Sequence, residues 1–161
     1  LQPLYVGSPV AGVGYHDGSV FRRLDAALKL GMDLNNPRPE ISHDNGLGIY
    51  VNPDLTAWGP VTVGGHTFTI PSNGWVAHHP CSGLLEFSAI PSGYAQRFDY
   101  VIKPGCFEMI DGRGQSTTFG GITGTNFLVQ WTNGFSVKEQ SSGLMQITGS
   151  LPTLCAQPWC P

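Results

Sequence analysis

The sequence predicts a mainly β fold, an antiparallel β-sandwich or jelly-roll-like head preceded by one short helix. Three observations predict it. The 161 residues are 12% charged but 40% hydrophobic, about half the usual share of charge with enough apolar side chain for a core. The chain holds 22 glycines and 13 prolines, which punctuate turns rather than extend helices. From Leu47 onward, short β-branched and aromatic runs alternate between such turn signals. The length fits one domain, divided here into an arm over 1–46 and a β head over 47–161.

The arm opens with an extended lead-in over 1–18, where prolines and glycines break any helical period. A helix is predicted over 19–31. Ser19 suits an N-cap, Val20, Phe21, Leu24, Ala27, Leu28 and Leu30 form one apolar stripe, and Gly31 supplies the stop. A helix this short is not stable alone in water, so it must pack on a sheet or on copies of itself. Pro37 and Pro39 make the following linker extended.

Within the head the clearest signal is VTV-GG-HTFTI at 61–70, two alternating runs joined by a two-residue turn. That register sets Val61 opposite Phe68, Thr62 opposite Thr67 and Val63 opposite His66. Further strands are predicted at 47–51, 74–77, 84–90, 97–103 and 106–110. The glycine-rich segment 112–124 reads as a tight connection with a short strand near Thr118. Asn133-Gly134 joins strands at 126–132 and 135–137, and 142–149 is the last strand. In the 126–137 hairpin, Phe127, Val129 and Trp131 are expected on one face, and Leu128, Phe135 and Val137 on the other. Apolar groups on both faces call for a central place in a sandwich or a neighbouring subunit.

Charge excludes two classes of partner. The net charge is −3 with eight basic residues, too few for nucleic-acid binding. No apolar run of membrane-spanning length occurs, so no membrane insertion is expected. Lysine occurs only at 29, 103 and 138, and a surface poor in lysine fits one covered by other subunits. Chain start at Leu1 is expected of a processed product or a fragment. Cys81, Cys106, Cys155 and Cys160 allow three pairings. The economical one joins Cys81 to Cys106 and closes CAQPWC through Cys155 and Cys160, implying an oxidising compartment; four free thiols is the alternative.

No catalytic residue, metal site or cofactor is expected. His78 and His79 are adjacent, so on an extended chain they point apart and cannot easily hold one ion. His16-Asp17-Gly18 and His43-Asp44-Asn45-Gly46 read as turns in which Asp or Asn bonds its own backbone. No G-x-S-x-G elbow supplies a nucleophile. Carboxylate pairs from Glu86, Asp99, Glu108 and Asp111 carry little signal for glycoside hydrolysis. Trp58, Trp75, Tyr94 and Trp159 are the candidate ligand-binding faces, with Trp131 and Tyr50 as further aromatic surfaces.

The order of arm, helix and glycine-rich β head resembles the distal part of a viral or phage appendage or a capsid-decorating protein. The resemblance is architectural and rests on no motif. It implies a non-enzymatic structural or host-attachment role on a virion or in the extracellular space. The expected partners are copies of the chain in a trimer, other particle proteins, and a host-surface glycan or protein. Val20, Leu24, Ala27 and Leu28 are then the expected oligomer interface. The alternative is a secreted, monomeric carbohydrate-binding module or lectin.

Overall fold

A computed structural model describes residue 4, residues 6–35 and residues 37–151. Its elements run β1 (Val10–His16), β2 (Phe21–Arg23), α1 (Leu24–Lys29), β3 (Pro39–His43), β4 (Gly48–Asn52), β5 (Trp58–Val63), β6 (His66–Ile70), β7 (Gly74–His79) and β8 (Leu84–Pro91). They continue with β9 (Phe98–Lys103), β10 (Phe107–Asp111), β11 (Thr117–Phe119), β12 (Ile122–Gly124), β13 (Leu128–Trp131), β14 (Ser136–Glu139) and β15 (Met145–Thr148). The fold is mainly β and antiparallel. One sheet runs β15-β14-β13-β10-β9-β8-β7-β4-β3-β1-β2, with the β5–β6 hairpin joined to it through β8.

The 61–70 hairpin has the register its alternation predicts: Val61 opposite Phe68, Thr62 opposite Thr67, Val63 opposite His66. Gly64 and Gly65 make the turn at φ 58° and 81°, angles that suit a two-residue hairpin loop. The hairpin lies over one face of the long sheet, and the short β11–β12 hairpin covers more of it. Between these layers sits the main core of Val61, Val63, Phe68, Ile70, Val76, Phe87, Phe98, Tyr100 and Ile110, with Trp58 and Ile122. Phe87 is its centre: the rings of Phe68, Phe98, Tyr100 and Phe119 lie 5.0, 5.2, 5.5 and 5.2 Å away. Such contacts add to the area each ring buries.

The opposite face is apolar too. Cross-strand partners put Val13, Ile41, Ile49, Ala77, Glu86, Val101, Met109, Val129, Val137 and Ile147 in one row. Leu4 covers its centre, in a second cluster with Leu47, Ala77 and Leu84.

Three expectations are corrected. The helix spans Leu24–Lys29 rather than 19–31, and Ser19 does not cap it. Asp17 captures the preceding residues instead. Its Oδ1 accepts the Ser19 and Val20 N–H groups at 2.9 Å, closing a hairpin between β1 and β2. The aspartate–glycine turn wins over helix continuation because the short carboxylate satisfies two backbone donors at once. Gly31 still ends the helix, at φ 66°.

The arm is the second correction. Residues 10–16 form β1, paired with both β2 and β3, and the 46/47 boundary falls inside the β3–β4 hairpin. Phe21 packs against the main core, so the first third of the chain builds the same sheet. The third is the 126–137 hairpin. Val129 faces Val137 and Leu128 faces Lys138, so Val137 shares the Val129 face. The Gly134 N–H bonds the Trp131 carbonyl and the Trp131 N–H bonds the Phe135 carbonyl. That turn has three residues where a two-residue turn would have kept the expected register.

Candidate functional site

The aromatic residues singled out by sequence do not converge. Trp58 is a core residue, 2% exposed, with its ring 5.9 Å from Phe21 and 5.4 Å from His16. It offers no face to a ligand, and its buried Nε1 has no hydrogen-bond partner among the described residues. Tyr94 packs its ring on Phe98 and Phe119 and donates its hydroxyl to the Thr118 carbonyl at 2.5 Å. It therefore pins the β8–β9 loop to β11. Trp159, Cys155 and Cys160 lie outside the described residues. Trp75 is partly exposed on the second sheet face, against the Leu4 cluster. Among the cysteines, neither Cys81 nor Cys106 is a free thiol.

Beside Trp75 the strand register assembles a group of charges. Trp75 faces Ser88, Ser88 faces Asp99 and Asp99 faces Asp111 across β7–β10. Directly opposite residues share a face. Ser88 is 3% exposed and donates its hydroxyl to Asp99. Two guanidinium groups meet on the same hydroxyl oxygen, Arg97 Nε at 2.9 Å and Arg113 Nη2 at 3.3 Å. Arg113 forks onto Asp99, Nε at 2.9 Å and Nη2 at 3.0 Å. Arg97 instead donates to the backbone carbonyls of Ser72 and Asn73 at 3.1 and 3.0 Å. Ion pairs join Arg22 to Asp17, Arg38 to Asp54 and Arg113 to Asp99; Arg97 makes none among the described residues. Burial, then the neighbouring Arg113 charge, lowers the Arg97 pKa, while Asp99 opposes both. Among the described residues, Asn73 and Arg113 are the non-glycine residues at positive φ, 54° and 53°. Both border this cluster, where strained backbone aims groups that relaxed loops would not.

A second feature is a cleft of about 320 Å³ at the β9–β10 turn. Phe107, Gln130, Trp131 and Thr132 line it, with Glu108 at its side. The Trp131 ring lies 5.9 Å from Phe107 and 4.9 Å from Phe135. Glu108 is already engaged: its Oε1 accepts the Tyr100 hydroxyl and the Gly121 N–H. Burial, then this carboxylate, drives the Tyr100 pKa strongly upward.

His79 holds two turns together. His79 is fully buried, and its Nε2 donates to the Asn45 carbonyl at 2.8 Å. Because a carbonyl only accepts, Nδ1 is left to accept the Ser82 hydroxyl at 2.7 Å. The ring thus locks the β7–β8 turn to the β3–β4 turn. No group of three or more His, Cys, Asp or Glu with metal-binding geometry occurs among the described residues.

The expected oligomer stripe splits. Val20, Leu24 and Leu28 are 46, 49 and 60% exposed, whereas Ala27 is fully buried within its own chain and is removed from that interface. The hairpin at Asp17 rotates Val20 off the helix, and the helix that remains presents Ala27 inward.

The Arg97–Arg113 pair went unread in the sequence because the two residues are far apart in it and neither belongs to a motif. The available signal was register: hairpins over 84–90, 97–103 and 106–110, once paired, put positions 88, 99 and 111 in one row. Comparison with family models, curated proteins and solved structures finds no match.

Proposed function

We propose that this chain is a non-enzymatic structural or host-attachment subunit of a viral or phage particle, working as a homo-oligomer with a trimer as the expected state. The observation carrying this reading is the exposed apolar surface at both ends of the sheet. At the β15 end Leu144, Met145 and Ile147 are 68, 50 and 66% exposed; at the other end Val13, Leu24 and Leu28 are 38, 49 and 60% exposed. All four residues of β15 are exposed, and β15 is the terminal strand of the sheet. An apolar edge strand with free backbone donors and acceptors invites pairing with another chain. Burying one such side chain contributes about 1.5–3 kcal/mol, so several together favour association. No helix among the described residues is long and apolar enough to cross a membrane. Cys81 and Cys106 are not free thiols, which supports a disulfide-permissive site such as a virion surface or the extracellular space.

Sedimentation at micromolar concentration tests the assembly. A trimer mass supports the reading, and a stable monomer overturns it. Alkylation before and after reduction, read by mass, tests the cysteines: label gained only after reduction supports crosslinks. The second reading, a monomeric carbohydrate-binding module, is favoured by the Phe107–Trp131 cleft, where an aromatic floor meets amide and hydroxyl groups. Glycan binding by an isolated monomer, lost in Trp131→Ala, would select it.

A further inference from the structure

We propose that Arg97 and Arg113, with Trp75 beside them, form a recognition site for a carboxylated sugar. The proposal deepens the attachment half of the preceding reading by giving it a ligand class, and it does not depend on trimer formation. Arg97 is the residue that points to it. It is a partly buried guanidinium in no ion pair among the described residues, with Asp99 as its nearby opposing charge, and a further anion would complete it. Its orientation is fixed in advance by three hydrogen bonds, to Ser88 Oγ and to the Ser72 and Asn73 carbonyls. A guanidinium carries five N–H donors, so those three bonds leave donors over. Arg113 Nη1 has no partner among the described hydrogen bonds, and its side chain is 45% exposed. Both groups bond the same Ser88 oxygen, which sets the two guanidiniums side by side. Planar donors at that spacing suit a carboxylate, which two guanidiniums can share.

The rest of the patch specifies a sugar. Trp75 is the direct cross-strand partner of Ser88, at the Cβ spacing of about 5 Å typical of such pairs, so its partly exposed ring shares a sheet face with the hydroxyl that both guanidiniums bond. An indole face packs against the C–H face of a pyranose while its neighbours take the polar substituents. Ser72 and Asn73, joined side chain to side chain at 3.2 Å, border the same turn and supply an amide and a hydroxyl for ring oxygens. Asp99 is occupied by the Arg113 guanidinium and the Ser88 hydroxyl, and Asp111 accepts the Arg113 backbone N–H. Both carboxylates are therefore engaged, which reduces their repulsion of an incoming anion.

Titration calorimetry on the full chain tests this. The probes are 3′-sialyllactose and a glucuronic-acid disaccharide, each against its carboxyl-reduced counterpart, plus a short aspartate-containing peptide. The expected result is saturable binding of at least one acidic sugar and binding about tenfold or more weaker for its reduced form. Arg97→Gln and Arg113→Gln should each weaken binding about tenfold or more, and Trp75→Phe should weaken it while keeping the preference for the acid. Lys138→Gln, at the exposed position of β14, removes the same charge elsewhere and should change nothing. If Arg97→Gln does not fold, Arg113→Gln and the wild-type comparison of acid with reduced sugar still decide. Equal binding of acidic and reduced sugars, equal binding of the peptide, or no binding of any probe at millimolar concentration overturns the proposal. A chain that sediments as a monomer yet binds the acid would sink the assembly reading and leave this one standing.

Discussion

Gly120 shows how one residue without a side chain holds a polar site closed. It sits at φ 58° between β11 and β12, and a Cβ there would run into the Tyr100 hydroxyl and the Glu108 carboxylate. Gly120→Ala therefore costs twice, in left-handed backbone strain and in displacement of a partly buried hydrogen bond. A loss of at least about 2 kcal/mol is expected by urea denaturation; unchanged stability would contradict the packing described for this turn. Proton linkage gives a second prediction. His16 packs against Phe21 and Trp58 at 5.1 and 5.4 Å, and desolvation lowers its pKa from the ordinary 6.5, with Asp17 opposing and Arg38 assisting. Desolvation, then the charges of His79 and His66, lowers His78 as well. As pH falls below about 6.5, the unfolded chain takes up protons that the folded chain resists, so stability drops through that window. The urea midpoint should fall between pH 7.5 and 5.5, and the fall should be shallower in His16→Gln.

Strand register is the scale at which sequence reading succeeded and failed. The 61–70 hairpin was legible because alternation and Gly64-Gly65 agreed, and each predicted pair occurs. The Gly31 stop and the Asp17 and Asn45 turns were legible because each names its own local partner. The helix start was not, since a good N-cap at Ser19 competes with a better turn at Asp17, and periodicity cannot rank them. The 131–135 turn has one residue more than its Asn-Gly signal suggests, which alone moves Val137 to the other face. The candidate site was illegible for a related reason: Arg97 and Arg113 meet only after three strands have paired. Edge strand β15 follows the same logic. Met145 and Ile147 lie on one face, with Ile147 opposite Val137 and Met145 opposite Glu139. Lysines there would charge an edge without touching the core, which is how natural sheets keep edges apart. Met145→Lys with Ile147→Lys should leave the circular dichroism spectrum intact while lowering the sedimenting mass to that of a monomer.

At the scale of the whole molecule, the question is how a sheet with two apolar faces stays folded. One face is closed by the two hairpins that cover Phe87 and Tyr100. The other is covered around Leu4, Leu47, Ala77 and Leu84, and its row runs out to Val13 at one end and Ile147 at the other, 38 and 66% exposed. A subunit that leaves such side chains in water gains folding free energy when a copy buries them, and mass action then ties stability to concentration. The melting temperature of this chain should therefore rise as protein is concentrated from about 1 to 100 µM, a range that spans the assembly equilibrium of a weak to moderate complex. Monomer unfolding has no such dependence, so the lysine pair on β15 should flatten the curve onto the low-concentration value of the parent. A melting temperature independent of concentration in the parent would mean that the far face needs no neighbour. The exposed row would then belong to the solvated surface of a single chain.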